Sequence, residues 1–168
     1  HSMLALPHRH LAVRALSGCG NECGGRALSD GNASVHGSAV VLGGRGLLAV
    51  GPSGSGKSAL CLDLMRHGAR LVADDRVRLW RDGAAVMAEA PASHRGLVEA
   101  RAVGILRAEP AGPARIDMVV DLGLAEDQRL PPWRMRAVLG IELPLVLGPF
   151  TPHLSAALRQ NLLAGRAE

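Results

Sequence analysis

The sequence predicts one α/β domain with many short strands and few helices, and three observations carry that expectation. Apolar residues make up 48% of the 168 residues but aromatics only 2%, so the core has to be built from Leu, Val, Ala and Ile. Those apolar residues fall in short runs separated by Gly- and Pro-containing clusters, which is a strand-and-turn rhythm. Finally, the glycine-rich run "GPSGSGKS", Gly51 to Ser58, follows a strand pattern and opens a helical one.

Residues 1–33 are mixed and become Gly-, Ser- and Asn-rich towards their end. They are expected to form a flexible N-terminal segment beginning with a cloning remnant, "HSM", with the domain proper at 34–165. "SVHGSAVVLGGRGLLAVG" reads as two strands, Val35–Leu42 and Leu47–Val50, joined by a Gly-Gly turn. Ser58 to His67 carries apolar residues at helical spacing, with Gly68 as the expected C-cap. "RLVADD" is a short strand ending in two aspartates, and "RVRLWRDGAAVMAEA" is a hairpin turning at Asp82-Gly83. "PASHRGLVEA" suits a short helix, "VGIL" a buried strand, "EPAGPA" a loop and "IDMVVDL" a further strand. Strand patterns recur near Val138–Ile141 and Leu143–Leu147. Thr151 then N-caps a helix with Pro152 at its first position, running to Gly165.

Composition also excludes several classes. The net charge of +4 is spread along the chain with no basic block and little aromatic interleaving, so nucleic acid is not an expected partner. No apolar run approaches the roughly 18 residues of a membrane span, and no secretory signal pattern opens the chain. Cys19, Cys23 and Cys61 make no disulfide framework, and the cytoplasm is the expected compartment. Cys19 and Cys23, with His8 and His10 upstream, are too loosely spaced and too poor in apolar neighbours to be read as a zinc site.

Among nineteen Lys and Arg residues, Lys57 is the only lysine. Its place in G-x-x-x-x-G-K-[ST] supplies the reason. In this pattern Gly51, Pro52, Ser53, Gly54, Ser55 and Gly56 turn successive backbone N–H groups inward as an anion nest at a helix N-terminus. Lys57 adds a compact, mobile point charge that follows the β- and γ-phosphates, where a planar guanidinium would fit poorly. Ser58 offers a hydroxyl to Mg²⁺. A phosphoryl-transfer site also needs a carboxylate at a neighbouring strand end, and the candidates are the Asp74-Asp75 pair and Asp121. An adjacent acidic pair near phosphates leaves one carboxylate suited to taking a proton; Asp121 is read as a strand-end turn residue.

Taken together, "VHG" at Val35, "GPSGSGKS", "RHGARLVADDRVRL", "LVEARAVGIL" and "ARIDMVVDL" resemble the bacterial HPr kinase/phosphorylases, over roughly residues 35–147. That resemblance implies a P-loop kinase domain of the phosphoenolpyruvate carboxykinase-like type, with a mixed sheet and few helices. It implies that His36 is an active-site histidine, that Lys57 and Ser58 hold phosphate and Mg²⁺, and that Asp75, paired with Asp74, takes the proton of the target serine. Glu99 is the implied second Mg²⁺ ligand, Arg101 the cation beside it, and Arg129 the match to a later active-site arginine.

The sequence departs from the family pattern in three places. Only a short segment precedes His36, as in the short alphaproteobacterial form that lacks the N-terminal domain. Ala102 stands where the signature has glycine. The family's Pro-Val-Arg-Pro-Gly-Arg loop, tied to dephosphorylation, has no counterpart in "LPLVLGPFTPHLSAALRQN", which leaves at most a weak phosphorylase direction. The implied activity is ATP- and Mg²⁺-dependent phosphorylation of a serine on an HPr-like phosphocarrier of a bacterial phosphotransferase system, by a homo-oligomer. Two alternatives stay open: a same-fold kinase with another protein or a small molecule as substrate, and a nucleotide-binding regulatory module without catalysis.

Overall fold

A computed structural model describes residues 32–168. The expectations for the preceding segment, including Cys19 and Cys23, lie outside the described residues.

The described chain runs β1 (Asn32–His36), β2 (Ser38–Leu42), β3 (Arg45–Val50), α1 (Lys57–Arg66), β4 (Arg70–Ala73), β5 (Arg76–Asp82) and β6 (Ala85–Glu89). A 3-10 turn at Ala92–His94 leads to β7 (Leu97–Ala100) and β8 (Gly104–Arg107). Then come β9 (Ala114–Ala125), β10 (Arg134–Val138), β11 (Ile141–Gly148) and α2 (Pro152–Ala164). Nine strands form one mixed sheet in the order β1-β5-β6-β9-β3-β2-β4, with β11 also pairing β9 and β10 closing that side. The strands β3, β9 and β11 are mutually parallel, whereas the remaining pairs in this sheet are antiparallel. β7 and β8 make a separate two-stranded hairpin.

Strand alternation divides the core between the two faces of the sheet. In β3, Leu47 and Ala49 join a cluster with Leu60, Cys61 and Leu64 of α1 and Leu158 and Leu162 of α2. Leu48 and Val50 point the other way and pack with Val77, Leu79, Val86, Val119 and Leu145. Both helices therefore lie on one face, and α1 is held directly over the strand that feeds it. The two helices are joined by a hydrogen bond from the Ser155 hydroxyl to Asp63.

The structure changes four of the expected elements. Val35–Leu42 is two strands, because the chain breaks at Gly37, where a Cβ would lie 2.8 Å from the Ala49 carbonyl oxygen. As a result His36 ends an edge strand paired with β5, while β2 pairs β3 and β4. "PASHRGLVEA" holds one 3-10 turn and a strand instead of a helix. "VGIL" is a strand, but an exposed one, with Ile105 64% accessible. Finally, Val138–Ile141 is the β10–β11 turn, with both Leu139 and Gly140 at positive φ, the backbone of a type I′ hairpin. The helix N-capped by Thr151, which accepts from the Leu154 N–H, stands where its cap signals put it.

Candidate active site

The three parallel strands deliver their carboxyl ends to one edge, with Val50 of β3 and Leu147 of β11 both paired in register with Asp121 of β9. In open α/β sheets that edge is where ligands sit. The loop Gly51–Gly56 occupies it and leads into α1. Gly56, the N-cap of α1, has φ +98 and no side-chain cap, so the first-turn N–H groups remain for an anion. A Cβ there would meet the Phe150 side chain at 3.1–3.3 Å, so a larger residue would have to displace that ring as well as adopt the positive φ. Lys57 is buried, and its Nζ donates to the carbonyls of Gly51 and Pro52, each at 2.9 Å. An ammonium has three donors, and this leaves the third for a phosphate oxygen. Within the same loop the buried Ser55 hydroxyl has no hydrogen-bond partner among the described residues.

The two adjacent aspartates have opposite surroundings. Asp74 is 3% exposed, at the end of β4. Its Oδ1 accepts from the Ser38 hydroxyl at 2.5 Å and the Ser58 hydroxyl at 2.8 Å, and its Oδ2 from the Glu99 N–H at 2.9 Å. One carboxylate thus ties β2, the start of α1 and β7 together. Because Ser58 spends its hydrogen on Asp74, its lone pairs face away and are free to coordinate. Burial, with Asp74 adding to it, pushes the nearby Cys61 thiol far above its ordinary value, so this cysteine is inert at neutral pH.

Asp75, by contrast, is a non-glycine residue at φ +67 with its side chain half exposed. His36 Nε2 lies 3.0 Å from its Oδ1, and His94 Nε2 lies 3.9 Å from its Oδ2. The backbone here is pinned on both sides: Gly37 N–H donates to the Asp75 carbonyl and Arg76 N–H to that of Asp74. Asp74, Asp75, His94, Leu97, Glu99 and Ile105 line a cleft of about 260 Å³.

Glu99 is exposed on β7, and the turn after it carries Arg101, whose Nη2 comes within 3.8 Å of where Gly54 would bear a Cβ. The β7–β8 hairpin therefore brings Arg101 beside the glycine-rich loop, while the Glu99 N–H is tied to Asp74. Arg129 is exposed on the connection between β9 and β10, and no hydrogen bond or ion pair joins it to the other candidates among the described residues. Asp121 is expected to end a strand, but β9 continues to Ala125 and Asp121 lies within it. It accepts from the Gly123 N–H at 2.9 Å and from Arg136 Nη2 at 2.7 Å, and Arg136 is itself 6% exposed. That carboxylate is engaged in a largely buried ion pair.

Sequence reasoning missed Ser38, His94 and Arg136. Ser38 left a faint signal as the one polar residue of an apolar strand, whereas His94 was hidden in a segment read as helical. Among the described residues, no three His, Cys, Asp or Glu side chains gather into a metal site of their own. Ser58 Oγ and the Glu99 backbone N–H both meet Asp74, and the Ser58 hydroxyl and Glu99 carboxylate are hard oxygens of the kind of which Mg²⁺ characteristically takes one or two with phosphate and water. No helix among the described residues is long and apolar enough to cross a membrane.

Comparison with known proteins bears on the family and the fold. Residues 28–128 match the family model described as the HPr Serine kinase C-terminal domain. The HPr kinase/phosphorylase of Lactobacillus johnsonii is 46% identical over 74 residues, covering 44% of this chain and 23% of the relative. That of Lactiplantibacillus plantarum is 43% identical over 93 residues, covering 53% and 30%. The matched region thus spans about a quarter to a third of these relatives' length. The structure of the Hpr(Ser) kinase/phosphatase from Coxiella burnetii superposes with a TM-score of 0.66 over 76% of this chain and 92% of that one, at 24% identity, and so shares the fold. With more than half of its residues matched by the model, the chain belongs to the HPr serine kinase C-terminal domain family.

Proposed function

We propose that this domain is an ATP- and Mg²⁺-dependent protein-serine kinase acting on an HPr-like phosphocarrier of a bacterial phosphotransferase system. The observation that carries the reading is the division of labour between two neighbouring carboxylates. Asp74 is buried and holds Ser58 at the phosphate loop, while Asp75 is exposed at the same edge with an oxygen open to an incoming hydroxyl. A nucleotide-binding module needs only the first of these.

The loop amides and Lys57 hold the β- and γ-phosphates. Ser58 Oγ and Glu99 would hold Mg²⁺, and the ion would supply neutralisation of developing phosphate charge. Asp75 accepts the proton of the acceptor serine as the serine oxygen bonds to the γ-phosphorus and the bond from that phosphorus to the β–γ bridging oxygen breaks, releasing ADP. His36, with its proton on Nε2, donates to Asp75 Oδ1 and turns the carboxylate towards the acceptor. Arg101 stabilises charge on the transferring group from above the loop; Arg129 would have to move to join it. Transfer in the forward direction, in the cytoplasm and by a homo-oligomer, completes the proposal, with the reverse phosphorylase reaction weak.

The test is transfer of labelled γ-phosphate from ATP to purified HPr-like carriers from the same genome. Labelled phosphoserine on a carrier supports the reading. Nucleotide binding without transfer to any carrier would leave a binding module instead.

A further inference from the structure

We infer that His94 is a positioning residue for Asp75, holding the carboxylate oxygen opposite the one that His36 holds. This inference rests on the proposed kinase reading, and its grounds are four side chains in a row: Ser93, His94, Asp75 and His36. Ser93 Oγ lies 2.8 Å from His94 Nδ1. When the hydroxyl donates there, the imidazole proton sits on Nε2, the nitrogen that faces Asp75 Oδ2 across 3.9 Å. That separation is one side-chain rotation, or one bridging water, short of a hydrogen bond. On the other side His36 Nε2 meets Asp75 Oδ1 at 3.0 Å.

Asp75 needs a second hold. Its backbone is in the left-handed region and its side chain is about half exposed, so packing alone holds its rotamer weakly. A single hydrogen bond to Oδ1 leaves the carboxylate free to swing about its last single bond. A donor at each oxygen removes that freedom, and a base held in one orientation keeps its lone pair on the acceptor hydroxyl. The fold provides for this locally. His94 ends the 3-10 turn Ala92–His94, closed by its own N–H to the Pro91 carbonyl at 2.9 Å, and the strand carrying Glu99 begins three residues later. The histidine thus lines the cleft and faces the Asp75 oxygen that His36 does not meet. Its side chain stays 40% exposed.

The experiment compares wild type, His94→Ala and His94→Gln in three measurements: phosphoryl transfer to the carrier, Mg-nucleotide affinity and thermal midpoint. His94→Ala is expected to lower the transfer rate about 10- to 100-fold, with nucleotide affinity within twofold and the midpoint unchanged. His94→Gln keeps an N–H donor at similar reach and should recover most of the rate. An alanine variant at the wild-type rate, or a glutamine variant no better than alanine, overturns the assignment. So does a loss of nucleotide affinity or stability matching the loss of rate, which marks a structural role. Failure of the wild type to transfer at all, despite binding Mg-ATP, defeats the kinase reading itself. Wild-type transfer with an unimpaired alanine variant defeats the role of His94 alone.

Discussion

Replacing Asp74 with alanine should destabilise the domain far more than any change at Asp75, although the two are adjacent. Asp74 is 3% exposed and receives three hydrogen bonds, from Ser38, Ser58 and Glu99. Alanine strands the Ser38 hydroxyl, itself 1% exposed, and the Glu99 N–H, while Ser58 can turn to water. Each stranded donor costs about 1–3 kcal/mol, so the two together cost about 2–6 kcal/mol, centred near 4 kcal/mol. At roughly 2–4 °C per kcal/mol for a chain of this size, the thermal midpoint should fall by about 8–16 °C. Asp75→Asn, at an exposed left-handed position that Asn tolerates well, should stay within about 2 °C of wild type. Thermal unfolding followed by circular dichroism at one pH reads both. An Asp74→Ala midpoint within about 3 °C of wild type, or an equal loss in Asp75→Asn, would refute the assignment of Asp74 as the buried tie.

Three other outcomes follow from the same contacts. Lys57→Arg should cut transfer strongly despite keeping the charge, because a guanidinium cannot donate to the Gly51 and Pro52 carbonyls from the same compact point; wild-type turnover in that variant contradicts it. Gly56→Ala should weaken Mg-nucleotide affinity, since φ +98 and the Phe150 contact both oppose a Cβ, and titration with nucleotide checks this. The Ser155 hydroxyl, with Arg66 adding to it, holds the Asp63 carboxyl below its ordinary 3.8. Its contribution to stability is therefore complete above that value and lost as pH falls through the lower folded one. Midpoints measured from about pH 2.5 to 7 should show Ser155→Ala below wild type at neutral pH, with the two curves converging in acid. A gap that does not change with pH would contradict that origin.

What the sequence revealed, and what it concealed, divides along the range of the signals. The glycine-rich loop between strand and helix, the Asp82-Gly83 hairpin and the Thr151 cap are local: each depends on residues within one turn of each other, and each stands where its residues indicate. "SHRGLVEA" misled because a short apolar run fits either period, and only pairing of Glu99 with Ile105 across the hairpin makes it a strand. The exposure of "VGIL" was hidden for a related reason, since the two-stranded hairpin stands apart from the main sheet and leaves Val103 and Ile105 uncovered. Within the site, Lys57, Ser58 and the aspartate pair were legible from spacing. The bond from Ser38 to Asp74 and the approach of His94 to Asp75 were not: one spans 36 residues, and the other needs the true course of the chain between β6 and β7. Asp121 read as a strand end, and its buried partner Arg136 looked like any other arginine in a chain rich in them.

The most direct test of the proposed mechanism is the transfer rate of Asp75→Asn, measured alongside its Mg-nucleotide affinity. Asparagine keeps the shape and the left-handed backbone but cannot take the acceptor proton. Transfer to the carrier serine should therefore fall about 10²- to 10⁴-fold while nucleotide affinity stays nearly unchanged. An Asp75→Asn variant that transfers phosphate at the wild-type rate would contradict the assignment of Asp75 as the base.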